Sequence, residues 1–192
     1  MKFKIGVFGS NAEELSSNVI SKAKQIGNEL ANYNIVIITG GSSGVPYLAA
    51  HEAAKGGIEV WGFSPVIDIE SQRKFTPDDD ISIYKRLIYI PRTFEFSSDY
   101  QVSKKYRNVI STANCDAGII ISGRWGTLNE FTNLFDMGKV IGVLTGTGGV
   151  ADELPILTRK IKKKSKSKVI FNNDPKKLIS DIINMLAPQR YV

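Results

Sequence analysis

The stretch "NIVIITGGSSGVPYLAAHEAAKGG", residues 34–57, decides the fold. Its first part, Ile35 to Thr39, is β-branched at every position and never alternates with polar residues. A strand of that kind has no solvent face and belongs in a parallel sheet covered by helices on both sides. A glycine-rich turn follows. Pro46 then falls in the first turn of a helix, where its missing N–H costs no intrahelical bond. The same sequence of strand, turn and helix recurs along the chain. Apolar runs "FKIGVFG", "IEVWGFSP", "LIYIP", "AGIIISG", "KVIGVLTG" and "KVIF" are separated by segments of helical length. Such alternation means an α/β protein. An eight-unit barrel usually needs about 250 residues. The 192 residues here fit instead an open, doubly wound, mostly parallel sheet of about seven strands with helices on both faces. The pattern does not encode the order of strands in that sheet.

Residues 1–192 read as a single domain, since 42% hydrophobic content supplies one well-buried core and neither a repeat nor a linker divides the chain. Ser10 with Glu13, and Thr127 with Glu130, match the capping-box pattern, while Asp174 before Pro175 predicts a capped helix start. The helix preceding "AGIIISG" has an apparent core stripe of Val102, Val109, Ile110 and Ala113. Arg107 lies off that stripe, which leaves it either exposed or directed at a crevice. Residues 65–86, "PVIDIESQRKFTPDDDISIYKR", form the longest stretch without a clear element, read as a solvated edge loop or as a mobile lid or partner surface. Asp78 to Asp80 lack the spaced ligands of a calcium loop.

Composition narrows the function. The single Cys115 has no disulfide partner in the chain and reads as a small core residue, which suits a reducing interior. His51 is the only histidine, so no metal site is expected, and its helical position favours surface or packing duty. No apolar run approaches a membrane span or a signal peptide, and a cytoplasmic protein with no membrane partner is expected. The net charge of +6 is concentrated in "RKIKKKSKSK", residues 159–168, whose seven basic residues exceed that total and leave the rest at −1. A solvated helix end and loop is the favoured reading of this run, and a nucleic-acid patch the disfavoured one, because no aromatic residue interleaves the cations.

In open α/β sheets ligands bind outside the carboxyl ends of the strands. The turns there are rich in glycine: "FGSN", "TGGSSG", "SGRWGT" and "TGTGG". Gly40, Gly41 and Gly44 permit a tight turn close to a ligand, with the N–H groups of the next helix pointing into the same space, an arrangement suited to phosphate. The chain has no G-x-x-x-x-G-K-[ST] run. Its first turn lacks G-x-G-x-x-G, and its second strand ends in Thr39 rather than a ribose-binding acid. ATP and NAD are therefore disfavoured. Gly123 and Gly126 bracket Arg124 and Trp125 ahead of Glu130, which can cap its helix, face a ligand, or do both.

"TGGSSGVPYLAAHEAAKGGIEVWGFSP" and "YRNVISTANCDAGIIISGRWGTLNEF" resemble the two signature regions of the Lonely Guy (LOG) family, often labelled lysine-decarboxylase-like. Within it, "YRNVI" and "TGTGGVAD" resemble the branch that includes molybdenum cofactor carrier proteins. The resemblance runs from the first strand to about residue 150. It implies a Rossmann-like fold, a homodimer or higher homo-oligomer, and cleavage of the N-glycosidic bond of nucleoside 5′-monophosphates. The family motif P-G-G-x-G-T-x-x-E falls on Ser122 to Glu130, with Ser122 in place of its proline and Arg124 in place of a glycine. By that correspondence Arg107 and Glu130 would be catalytic. Gly9, Ser10, Gly40, Gly41, Ser42, Gly44, Gly123, Arg124, Gly126 and Thr127 would hold the phosphorylated ligand. No resident cofactor is implied. The alternative is a non-catalytic carrier or sensor that binds a molybdopterin-type cofactor or a signalling nucleotide in the same crevice.

Overall fold

Ile35–Thr39 forms a strand buried at every position, and Ala117–Ile121 and Val140–Leu144 are buried as completely. The computed structural model describes residues 2–11 and 15–187. In chain order it contains β1 (Phe3–Gly9), α1 (Ser17–Leu30), β2 (Ile35–Thr39), α2 (Val45–Lys55), β3 (Glu59–Phe63) and α3 (Ile69–Phe75). These are followed by β4 (Tyr84–Ile88), α4 (Tyr100–Ala113), β5 (Ala117–Ile121), α5 (Trp125–Asp136), β6 (Val140–Leu144), α6 (Gly149–Lys160), β7 (Lys168–Asn172) and α7 (Pro175–Leu186). The seven strands form one sheet in the order β4-β3-β2-β1-β5-β6-β7, and every neighbouring pair is parallel. This is the Rossmann-like α/β architecture expected from the alternation of elements.

Two apolar layers sandwich the sheet. On one face Val19, Ala23 and Ile26 of α1, Ala49 and Ala53 of α2, and Leu178 and Ile182 of α7 meet strand residues such as Ile5, Ile37 and Ile119. On the other, Phe131 and Leu134 of α5 and Leu154 of α6 meet Phe8, Ile38 and Ile120. Alternate residues of one strand thus serve opposite layers, which is why these strands are apolar without interruption. Cys115 lies in the second layer, and burial pushes its thiol pKa up. Among the described residues no helix is long and apolar enough to cross a membrane.

The chain leaves β1 toward β2 on one side, and later crosses from β4 through α4 to lay β5 against the other side of β1. The loops after β1 and β5 therefore diverge and open a crevice at the reversal of strand order.

Local details depart from the sequence reading at four places. Helix α1 is capped by Ser16, whose hydroxyl accepts from the Val19 N–H, so Ser10 is not its cap, and Glu13 lies outside the described residues. Helix α5 starts at Trp125 with Arg124 at the cap position and no side-chain cap, so Thr127 and Glu130 form no capping box. Glu130 lies more than one turn inside the helix and is free to serve the crevice. In α4 the buried residues are Ser103, Asn108, Ser111 and Thr112, whereas Val109 is 41% exposed and Ala113 is also exposed. A polar face is buried there because its groups find partners: Thr112 Oγ1 donates to the Asn108 carbonyl at 2.6 Å, and Ser111 Oγ donates to the same carbonyl at 3.1 Å. Residues 65–86 are not a loop without elements. They contain α3, a 3-10 turn at Ile81–Ile83 and the start of β4, three residues earlier than "LIYIP" suggested. The cap at Asp174 is as expected, its carboxylate accepting from Lys177 N–H at 3.0 Å.

Candidate functional site

The crevice between β1, β2 and β5 holds a cavity of about 310 Å³. Phe8, Gly9, Ser10 and Asn11 close it from the end of β1, Gly40, Ser42 and Ser43 from the end of β2, and Arg124 to Thr127 from the turn after β5. Tyr100, Lys104, Lys105, Arg107 and Asn108 of α4 form the remaining wall. Two helices, α2 and α5, begin at this crevice without a side-chain cap. The first-turn N–H groups of α5 and the positive ends of both dipoles make the space favourable for an anion, whereas in α2 the Val45 N–H already donates to the Ser10 carbonyl at 2.9 Å and Pro46 has no N–H.

Inside it lies a buried ion pair. Arg107 Nη1 is 3.6 Å from Glu130 Oε1, and the two side chains are 11% and 8% exposed. In the amide orientation that its surroundings satisfy, Asn108 donates to Glu130 Oε1 at 3.2 Å and to the Lys104 carbonyl at 3.1 Å. Arg107 stays protonated at any working pH. Burial raises the Glu130 carboxyl to about 7, and the Arg107 charge only partly opposes that rise. A carboxyl balanced between acid and carboxylate at neutral pH is suited to exchanging a proton. Gly40 makes room for the pair: a Cβ there would coincide with the Arg107 guanidinium. That contact, rather than turn conformation, explains glycine at this position.

The turn after β5 is held in an unusual backbone state. Ser122 has φ of 53° and Gly123 of 101°, while Arg124 is extended at φ −127°. The arginine thus sits in the motif's glycine position without backbone strain, and the left-handed residue is Ser122. The loop after β6 fixes it. Thr147 Oγ1 accepts from Ser122 N–H at 2.8 Å, and the Ser122 carbonyl accepts from Ala151 N–H at 3.1 Å. In that loop the N–H groups of Gly146 and Gly148 already donate to Asp152, at 2.6 and 2.8 Å. "TGTGG", one of the glycine-rich turns at this end of the sheet, thus satisfies its own N–H groups and buttresses the turn next door.

The β2 loop has a comparable support from α3. Gln72, fully buried, donates from Nε2 to the Gly41 carbonyl at 3.0 Å and accepts from Ser64 Oγ at 2.6 Å. Ser43 Oγ donates to Asp79 at 2.8 Å. Asp79 of the acidic run is therefore tied to the glycine loop.

Of the residues singled out in the sequence, Gly9, Ser10, Gly40, Ser42, Arg107, Arg124, Gly126, Thr127 and Glu130 line the cavity together. Gly41, Gly44 and Gly123 do not. Gly41 packs on the backbone of Phe63 and Ser64, Gly44 on that of Ser10 and Asn11, and Gly123 against Thr127. They shape the loops from behind. His51 lies beside Tyr47, with ring centroids 5.5 Å apart, outside the crevice. The sequence reading missed Tyr100, Lys104, Lys105 and Asn108, together with Phe8, Asn11 and Ser43. The signal for the first four was available in the helical phase of α4, since Lys104, Asn108 and Arg107 fall within one turn of each other.

A parallel sheet with helices on both faces and a crevice at its point of strand reversal defines the Rossmann-like class of α/β proteins. Within it, the chain belongs to the SLOG cluster4 family, whose model matches residues 2–179. Among curated proteins no relative matches. Solved structures share the fold at low identity. TM1055 aligns with a TM-score of 0.77 at 19% identity, over 96% of this chain and 99% of its own. The molybdenum cofactor carrier protein of Chlamydomonas reinhardtii aligns at 0.69 and 19% identity, over 97% and 99%. DNA processing protein A of Helicobacter pylori, described for its single-stranded DNA binding, aligns at 0.60 and 16%, over 97% of this chain and 81% of its own.

Proposed function

We propose that residues 1–192 act as one nucleotide-binding domain that takes a 5′-phosphorylated nucleoside into the crevice and hydrolyses its N-glycosidic bond. The observation that carries this reading is the buried Arg107–Glu130 pair at 3.6 Å, set beside two uncapped helix starts in one cavity. The phosphate would sit on the first-turn N–H groups of α5, near Gly126 and Thr127, with the loop of Gly40 and Ser42 on its other side. Exposed rings of Trp125 and Tyr100 at the cavity offer apolar faces to a base. As the C1′–N bond breaks, its electron pair leaves with the base and positive charge grows on the ribose. Glu130 carboxylate stabilises that charge and takes a proton from the water that adds to C1′. The proton then passes to the departing base. Arg107 holds the carboxylate in place and keeps it partly ionised despite burial. Anchoring the remote phosphate helps place the reacting carbon.

A second reading has its own support. Arg124 occupies the glycine position of the Lonely Guy motif and lines the cavity, and the fold is shared with a molybdenum cofactor carrier protein. Here the crevice holds a phosphorylated pterin-type cofactor or a signalling nucleotide and does no chemistry. We also propose that the protein works as a homodimer or higher homo-oligomer, which light scattering of the purified chain tests directly. Incubation with nucleoside 5′-monophosphates, followed by chromatography of free base beside a Glu130→Ala control, separates the two functions. Base release that disappears in the control supports the hydrolase. Thermal stabilisation by the same nucleotides without release supports the carrier or sensor.

A further inference from the structure

Three cations at the cavity form no ion pair among the described residues. Lys104 and Lys105 on α4 and Arg124 at the start of α5 all line it. Among the described residues none of them lies within ion-pair distance of a carboxylate. Among the described residues Arg124 makes one side-chain hydrogen bond, from Nη2 to Asn11 Oδ1 at 3.4 Å. Lys104 instead faces like charge: its ammonium is driven down in pKa first by burial, then by Arg107, Lys105 and Arg124. Arg107 is paired with Glu130 at 3.6 Å. Three clustered cations without an ion pair among the described residues repel one another on the wall of one concave site, a repulsion that a bound anion relieves.

Charge counting then distinguishes among ligands. A phosphate monoester brings a charge of about −1.5 to −2. That is less than the three positive charges present, and the uncapped helix starts already provide for one phosphate at the depth of the crevice. That leaves Lys104, Lys105 and Arg124 for a second phosphoryl group, which brings the ligand's total charge to roughly −3. The arginine fork can bind two oxygens of that outer group at once, which a glycine in its place cannot. We infer that the crevice is built for a ligand with two linked phosphoryl groups, a nucleoside diphosphate or a pyrophosphate-linked derivative, the outer group lying between Lys104, Lys105 and Arg124. This rests on the nucleotide-binding reading above and specifies its ligand class.

Calorimetric titration of the full chain with AMP and with ADP, at one ionic strength, tests it. ADP is expected to bind about tenfold more tightly than AMP or better. In Arg124→Gly and in Lys104→Ala/Lys105→Ala, each confirmed folded by its melting transition, the ADP-to-AMP ratio is expected to collapse toward one. Equal affinities in the unmodified protein, or a ratio that survives both variants, would overturn the diphosphate inference and leave nucleotide binding standing. Failure of both nucleotides to bind would overturn the nucleotide-binding reading itself.

Discussion

Glu130 is the residue on which the chemical account turns, and two of its properties are measurable. The ionised carboxylate is the active form, so base release should be retained above pH about 7 and lost below it. On the acid side kcat/KM should fall roughly tenfold per pH unit. A pH–rate profile that is flat from 5 to 8 would remove Glu130 from the reaction. Burial that lifts a carboxyl from 4.5 to about 7 also lowers stability as pH rises. The stability contribution is present below pH 4.5 and disappears by about 7, on the order of 3 kcal/mol. Urea denaturation of wild type should therefore show a loss between pH 5 and 8 that Glu130→Gln lacks. Gly40→Ala tests the other side of the pair. Its methyl group displaces the Arg107 guanidinium, with an expected loss of about 1–3 kcal/mol in stability and weaker AMP binding by calorimetry. Arg107 and Glu130 were identifiable in the sequence through family resemblance, but their mutual contact was not, because it joins two helices that only the sheet order brings together.

At the scale of elements, strands were the most legible feature. Unbroken β-branched runs leave no other placement than a sheet interior, and β2, β5 and β6 are buried at every residue. Helices were legible in position and less so in phase. The apolar residues of α4 suggested a stripe through Val109 and Ala113, yet the face turned inward is polar and is satisfied by bonds to its own backbone. That misreading hid Lys104 and Asn108 from view. Helix α3 was illegible for a different reason. It is seven residues long, too short for periodicity to declare it, and it is held by a buried glutamine whose partners lie on Gly41 and Ser64. Gln72→Leu should leave Ser64 and the Gly41 carbonyl without their partner and cost about 1–3 kcal/mol in urea denaturation. An unchanged midpoint would show that α3 does not secure the glycine loop. Thr147→Val probes the corresponding support after β5. Losing the bond to Ser122 N–H, the variant should weaken AMP binding although Thr147 does not line the cavity.

For the whole molecule, charge divides into two populations with different expected roles. The cations of residues 159–168 face solvent, where Lys163 pairs with Asp136 at 2.6 Å, and surface pairs of that kind contribute little to stability. Replacing Lys162, Lys163 and Lys164 by glutamine should leave AMP affinity within about twofold, since none of the three lines the crevice. The cations at the crevice are fewer, Lys104 and Arg107 being partly buried and Lys105 and Arg124 exposed, and to them the proposed ligand binding is assigned. Composition revealed the first group and concealed the second, because clustering in sequence is visible where clustering in space is not. The proposed function places a nucleotide phosphate where β1, β2 and β5 end. An amide NMR titration of the labelled protein with AMP addresses it most directly. The account predicts that the largest shifts fall on Gly126, Thr127 and residues 40–44, and that they saturate together. Shifts confined to residues 159–168, or none at all, would contradict it.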